Sequence, residues 1–286
     1  MQKKIIPVLF FLLISVAISA TPADTIRVLA IGNSFSEDAV ENYLYDLGKA
    51  DNVVFIIGNM YIGGCSLERH WYNAQKDTAA YSYRKIGVDG IKKTTERVKL
   101  STAITDEEWN YITLQQASLN SGKYHSYFPY LIDLQNYIKN RATNSDVKYA
   151  MHMTWAYAQA SNHAAFSIYN TDQIVMYDSI VAAVSRVSEK TNIDLVIPVG
   201  TAIQNGRTSY LGDTFCRDDH HLHLLTGRYT AACTWYRKLT GKSVVGNGYV
   251  PAGLSAADAL IAQKGAEYAV NSPYSVTDLS EIEQKK

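Results

Sequence analysis

Thr25-Ile26-Arg27-Val28-Leu29-Ala30-Ile31-Gly32-Asn33-Ser34-Phe35-Ser36 is the stretch that decides the fold. Its first seven residues, TIRVLAI, form a short apolar, β-branched run and predict a buried strand. Gly32-Asn33-Ser34 breaks the run. A helical pattern follows from residue 37 to about 50, with Val40, Tyr43, Leu44 and Leu47 on one face. Working outward, the same alternation recurs. Further strands are predicted at residues 52–57, 109–114, 147–154 and 194–198, and helices at 127–139, 171–190, 226–239 and 255–269. Strands alternating with helices argue a three-layer α/β/α sandwich around a mainly parallel five-stranded sheet. Residues 76–104, polar and rich in Lys, Tyr and Thr, interrupt the alternation and read as an insertion, a hairpin over one end of the sheet being one form of it. No Gly/Pro/Ser linker divides the chain, so residues 21–286 read as one domain.

The composition agrees. At 47% hydrophobic and 19% charged over 286 residues, the chain has enough apolar material for a sizeable core. Disordered, collagen-like and coiled-coil classes are excluded. Basic and acidic residues are balanced at 27 each, so no overall charge excess points to nucleic acid or an acidic membrane as partner. Tyr outnumbers Phe 21 to 7. Tyr stacks on sugars and also fills cores, and composition leaves both open.

Residues 1–20, MQKKIIPVLFFLLISVAISA, have two lysines, an apolar run of 14 residues from Ile5 to Ile18 broken only by Ser15, and small residues at the end. This is the pattern of a secretory signal peptide, and the run is short for a membrane span. Cleavage near Ala20 removes Lys3 and Lys4 and leaves the acids two ahead. The mature protein is expected to be exported, periplasmic or extracellular, and free of the membrane. Cys65, Cys216 and Cys233 are an odd number of thiols. A Cys216–Cys233 bridge is the pairing to check first, and the alternative is that these are buried small apolar residues.

In a parallel sheet, ligands bind at the C-terminal edge of the strands. The segments expected there are Gly32-Asn33-Ser34-Phe35-Ser36, Gly63-Gly64-Cys65-Ser66, Gln115-Gln116-Ala117-Ser118 and the late Arg217-Asp218-Asp219-His220-His221-Leu222-His223. A serine on a strand-to-helix turn is a poor nucleophile until a histidine takes its proton and a carboxylate orients that histidine. Asp218 and His221 lie three apart, so one short turn can present both to Ser34. Backbone amides and a side-chain amide would then hold the tetrahedral oxyanion.

This constellation resembles the SGNH (GDSL-type) hydrolase superfamily. The family's first block, Gly-Asp-Ser-Leu/Phe-Ser, is matched by Gly32-Asn33-Ser34-Phe35-Ser36. Its second block centres on a glycine, matched by Gly63 or Gly64. Its last, Asp-x-x-His, is matched by Asp218-Asp219-His220-His221. The stretches GGCSLERHW, TLQQAS, MTWAYA, IPVGTAIQNG and HLHLLTGRYTAA together look like a poorly characterised bacterial branch of that superfamily. The resemblance implies Ser34 as nucleophile, His221 as general base and Asp218 as its orienter, with Gly64 and the Ser34 amide in the oxyanion hole. Two departures stand out. Asn33 replaces the family's usual Asp, and no Gly-x-Asn follows the third strand. Gln116 is the preferred replacement for that Asn, with Gln115 close behind.

Other residues have more ordinary readings. His220, His221 and His223 with Asp218 and Asp219 could form a metal site, although no complete ligand set is evident. Trp155 and Tyr157 follow the fourth strand and are candidates to wall a substrate pocket, packing being the alternative. Arg207 is an ion pair or a carboxylate anchor. Asp213 is a second-choice orienter, and His152 sits near the expected active edge. The expected activity is hydrolysis of small acyl esters, an acetylated carbohydrate first, with no metal or organic cofactor required. A non-catalytic carbohydrate-binding descendant and a lipase or arylesterase are the alternatives.

Overall fold

A computed structural model describes residues 24–282. The expected signal peptide at residues 1–20 lies outside the described residues. Among those described, no helix is long and apolar enough to cross a membrane.

The chain opens with β1 (Asp24–Gly32), whose last five residues are buried. Two short helices follow, α1 (Ser34–Val40) and α2 (Leu44–Ala50), where one continuous helix was expected. Then come β2 (Val53–Tyr61), α3 (Leu67–Gln75), β3 (Tyr81–Ile86), β4 (Lys92–Val98), α4 (Leu100–Ile104) and β5 (Tyr111–Leu114). The second half contains α5 (Tyr130–Lys139), β6 (Lys148–His152), α6 (Gln173–Lys190), β7 (Leu195–Ile197), α7 (Val199–Arg207), α8 (Thr226–Thr240) and α9 (Ala256–Asn271).

The sheet has seven strands in the order β4-β3-β2-β1-β5-β6-β7, which corrects the expected five. The five predicted strands are there and pair in parallel. The two additional strands come from residues 76–104. They do not fold over the sheet. They extend it, β3 pairing antiparallel to β2 and β4 to β3, so the sheet is mixed. These two strands have little apolar signal in the sequence. Only Tyr81, Tyr83 and Ile86 of β3 are buried, and β4 is exposed up to Val98. Lys92, Lys93, Glu96 and Arg97 on this outer strand are the charges that protect a sheet edge from pairing with another chain.

Strand order decides where a ligand site can form. From β1 the chain steps outward to β2, then returns past β1 to β5 and continues through β6 to β7. Because parallel crossovers are right-handed, this reversal puts α1 and α2 on the opposite face from α5 and α6. After β7, α8 returns to pack on α1 and α2, and α9 packs on α7 and α8. The switch point lies between β1 and β5, where the loops at the C-terminal strand ends diverge and leave a crevice.

The core is continuous across these layers. Tyr81, Tyr127, Tyr157, Tyr229 and Tyr236 are all fully buried, so much of the tyrosine content fills the interior. Of the two readings left open for the cysteines, the Cys216–Cys233 bridge is not formed. All three cysteines are free, with Cys65 and Cys233 buried, and they act as small apolar residues.

Candidate active site

Ser34 is the first residue of α1 and is partly exposed. Asn33 caps this helix, its Oδ1 accepting the Phe35 amide at 3.0 Å. The same oxygen accepts Gln115 Nε2 at 2.8 Å, while Asn33 Nδ2 donates to the Cys65 carbonyl at 3.0 Å. One buried amide therefore ties the ends of β1, β2 and β5 together. Two acceptances and one donation need an amide, which explains why Asn stands here instead of Asp. Gly32 admits Gln115, because a Cβ at Gly32 would lie 2.8 Å from Gln115 Oε1.

The second segment of the site, Gly63-Gly64, follows β2. Gly64 has φ +61°, a left-handed conformation that glycine adopts without strain. Ser34, as first residue of a helix, has an amide with no intrahelical acceptor. The Gly64 amide has no hydrogen-bond partner among the described residues.

Asp218 and His221 sit on a loop pinched at its base. Cys216 and Leu222 form an antiparallel bridge, Arg217 N donates to His221 O at 2.9 Å, and His223 N donates to Phe215 O at 2.7 Å. At the tip, Asp218 Oδ1 accepts the His220 and His221 amides at 2.9 and 2.7 Å, and Asp218 Oδ2 lies 2.9 Å from His221 Nδ1. Partial desolvation works to raise the Asp218 pKa. The two amides and the imidazole outweigh it and bring the carboxyl down to about 2. Desolvation and the neighbouring His221 push His220 down to about 4.

A cavity of about 290 Å³ brings these segments together. Its lining includes Ser34, Gly63, Gly64, Ser118, His163 and His221. Ser34 Oγ and His221 are not hydrogen-bonded to each other in this structure, although both face the cavity. Such contacts are often loose before substrate binds.

The other expected site residues fall outside this lining. Gln115 is buried behind Asn33, its Oε1 2.9 Å from His152 Nδ1. Gln116 donates both amide protons to Ser126, at 2.9 Å to O and 3.1 Å to Oγ, and its Oε1 accepts the Leu67 and Ala117 amides. Both glutamines serve the scaffold. Trp155 and Tyr157 are fully buried and do not wall the pocket. Trp155 stacks on Phe35, centroids 4.2 Å apart, and donates its indole N–H to His220 O at 2.7 Å. It supports the floor of the site. Tyr157 reaches Ser118 Oγ at 2.8 Å.

Arg207 is buried, donating to the carbonyls of Ala156 and Tyr157. Asp213 lies 2.9 Å from Arg207 Nε, close in charge but poorly aligned as a hydrogen bond. Asp213 also accepts from the Gln159 amide and from Gln173, and touches no histidine. His152 is fully desolvated, which lowers its pKa to about 3, and it does not reach the cavity. Asp218, His220 and His221 offer ligand atoms within 4.8 Å of one another. Both Asp218 oxygens are already engaged by the loop itself, so the cluster reads better as an oriented histidine than as a metal centre.

One important residue gave no sequence signal. Asp38, on α1 four residues after Ser34, is 1% exposed. It accepts from Arg217 Nη1 at 3.1 Å, Arg228 Nε at 2.8 Å and the Leu222 amide at 2.8 Å. An acid on a short helix reads as solvated until the partner loop is in place.

A domain of unknown function, DUF4886, matches residues 27–269. The chain belongs to this family. A crystal structure of a DUF4886 protein from Bacteroides uniformis is similar, at 50% identity and TM-score 0.89, covering 91% of this chain and all of that one. A variant of an acetyl-xylooligosaccharide esterase from Geobacillus shares the fold at TM-score 0.50 and 11% identity, covering 77% of this chain and 97% of that one. No curated protein matches the sequence. The DUF4886 chain thus shares its architecture with an esterase fold.

Proposed function

We propose that this DUF4886 protein is an exported serine esterase that hydrolyses small acyl esters, O-acetyl groups on carbohydrate first among them. One observation carries the reading. Ser34 at the head of α1 and His221, oriented by Asp218, share one cavity at the switch point of the sheet. In the proposed reaction, Ser34 Oγ attacks the ester carbonyl while His221 Nε2 takes its proton. Asp218 holds the Nδ1 side of the ring and stabilises the imidazolium that forms. The amides of Ser34 and Gly64 receive the oxyanion. His221 then gives its proton to the leaving alcohol, and water removes the acyl group by the same steps in reverse.

Size supports a small substrate. At about 290 Å³ the cavity lies just below the ~300–1,000 Å³ range for ligand clefts. Its lining mixes Tyr61, Ser118, His163 and His220 with Leu119, unlike the broad apolar trough of a lipase. The Geobacillus protein is an acetyl-xylooligosaccharide esterase, which makes that substrate class a natural first test. Export rests on residues 1–20. Acetate release from acetylated xylo-oligosaccharides by the purified protein, reduced at least ~10³-fold in Ser34→Ala, is the expected result. Good turnover of long-chain lipid esters with none of acetylated glycans contradicts the substrate assignment.

A second reading has one observation in its favour. The side-chain amides of Gln115 and Gln116 are both bound into the scaffold. A glycan-binding protein without turnover needs no such donor. It predicts glycan affinity that is unchanged in Ser34→Ala, with no acetate released.

A further inference from the structure

The loop after β5 contributes Ser118 to the lining of the cavity that Ser34 and Gly64 also line, and the direction of the Ser118 hydroxyl proton can be deduced. Tyr157 is fully buried, and its phenol has one hydrogen-bond partner among the described residues, Ser118 Oγ at 2.8 Å. A buried O–H left without an acceptor costs about 1–3 kcal/mol, so Tyr157 donates and Ser118 accepts. Ser118 must then direct its own proton elsewhere. No other acceptor takes it among the described residues, and Ser118 lines the cavity together with Ser34 and Gly64. Accepting from Tyr157 also polarises the Ser118 O–H and strengthens it as a donor.

The loop holds this group in place. Gln116 Oε1 accepts the Ala117 amide at 2.8 Å and the Leu67 amide at 3.1 Å, and Ser121 Oγ donates to Ser118 O at 2.8 Å. Ser118 opens a 3-10 turn, Ser118–Asn120, so its own amide is free of intrahelical bonding as well. The glutamine that the sequence suggests as oxyanion donor instead fixes the backbone that carries Ser118.

We infer that Ser118, oriented by Tyr157, is the side-chain donor to the acyl oxygen in the tetrahedral state, completing the hole formed by the Ser34 and Gly64 amides. The inference rests on the esterase reading. As the Ser34 Oγ–carbon bond forms, the carbonyl π pair moves onto oxygen and the Ser34 proton goes to His221. Ser118 keeps its proton and hydrogen-bonds the oxyanion. On collapse the carbon–oxygen bond to the alcohol breaks, and that alcohol takes the proton from His221. Tyr157 touches no substrate and is a positioning residue.

The test compares wild type, Ser118→Ala, Ser118→Thr and Tyr157→Phe. It reads turnover of 4-nitrophenyl acetate, the rate of Ser34 modification by a fluorophosphonate, and the melting temperature. Ser118→Ala is expected to lower kcat and the modification rate about 10²-fold, with KM within about threefold of wild type. Ser118→Thr, which keeps the hydroxyl, recovers most of the loss. Tyr157→Phe loses less than Ser118→Ala, and in kcat rather than KM. If Ser118→Ala does not fold, Ser118→Gly is expected to show the same kinetic loss. Activity in Ser118→Ala or Ser118→Gly within twofold of wild type overturns the inference and leaves the esterase standing. A loss that follows melting temperature and is not recovered by Ser118→Thr also overturns it. Wild type that gains no adduct on Ser34 overturns the esterase reading itself, and this inference with it.

Discussion

The Leu222 amide donates to the buried carboxylate of Asp38 at 2.8 Å, fastening the residue after His221 to the helix that begins at Ser34. Arg217, at the base of the same loop, and Arg228 on α8 both pair with that carboxylate. Asp38 thus sets the distance between the two groups on which the proposed chemistry depends. Asp38→Asn leaves two guanidinium groups without their counter-charge, and a buried pair broken on one side typically costs about 3–5 kcal/mol. Because Arg217 is partly exposed, a loss near the bottom of that range is expected in denaturant unfolding. Turnover should fall further than stability explains, at saturating substrate, because the loop and α1 lose their common anchor.

Asn33 makes a sharper prediction. Its Nδ2 faces the Cys65 carbonyl at 3.0 Å, and a carboxylate there would set oxygen against oxygen. Asn33→Asp, which restores the commoner residue of the SGNH motif, should destabilise the protein by about 1–3 kcal/mol at neutral pH. Unchanged unfolding midpoints would show that the three strand ends are not joined through this amide.

Acid sensitivity follows from buried histidines. Burial lowers both His70 and His152 to about 3 from an ordinary value of 6.5. Below pH 6.5 the unfolded chain takes up protons that the folded state refuses. Stability should therefore fall as pH drops from 6.5 towards 3, with each histidine contributing up to about 1.4 kcal/mol per pH unit. Asp218 acts with the same sign in a lower pH window. Its stabilising contribution is fully present above the ordinary carboxylate value of 3.8 and is lost as pH falls from there through about 2. Any loss of activity between pH 8 and 4 then does not belong to Asp218. A flat unfolding free energy from pH 7 to 4 would contradict the histidine assignment.

Thiol chemistry is equally direct. Burial raises Cys65 to about 12 and Cys216 to about 11, and it raises Cys233 as well. The native protein should react slowly with a thiol reagent and show all three thiols after unfolding without reductant. Fewer than three would reveal a disulfide.

The parts legible in the sequence were those whose signal is local. TIRVLAI at residues 25–31 is buried because both faces of a central parallel strand are covered, so its apolar run is unbroken. Ser34, Gly64, Asp218 and His221 could be placed because each follows a strand end or sits in a short motif. What escaped depended on distant partners. Helix α7 is buried at all nine positions, yet its sequence, VGTAIQNGR, is mostly small or polar. Gly200 is needed there because a Cβ would lie 2.2 Å from Thr154 O, and Asn205 bridges Gly265 O and Thr277 N. Gln115 and Gln116 are adjacent amides that point in different directions, and only the positions of Asn33 and Ser126 reveal where each is spent. Asp38 gave no motif at all, and Ser118 only its place in the segment after the third predicted strand, because their roles arise from residues more than 35 positions away.

The most direct measurement is fluorophosphonate labelling of the purified mature protein, read by intact mass, with Ser34→Ala and His221→Ala alongside. A single adduct is expected on wild type, none on Ser34→Ala and a rate at least ~10²-fold lower on His221→Ala. A well-folded wild type that takes no adduct, or one labelled equally in Ser34→Ala, would contradict the esterase reading.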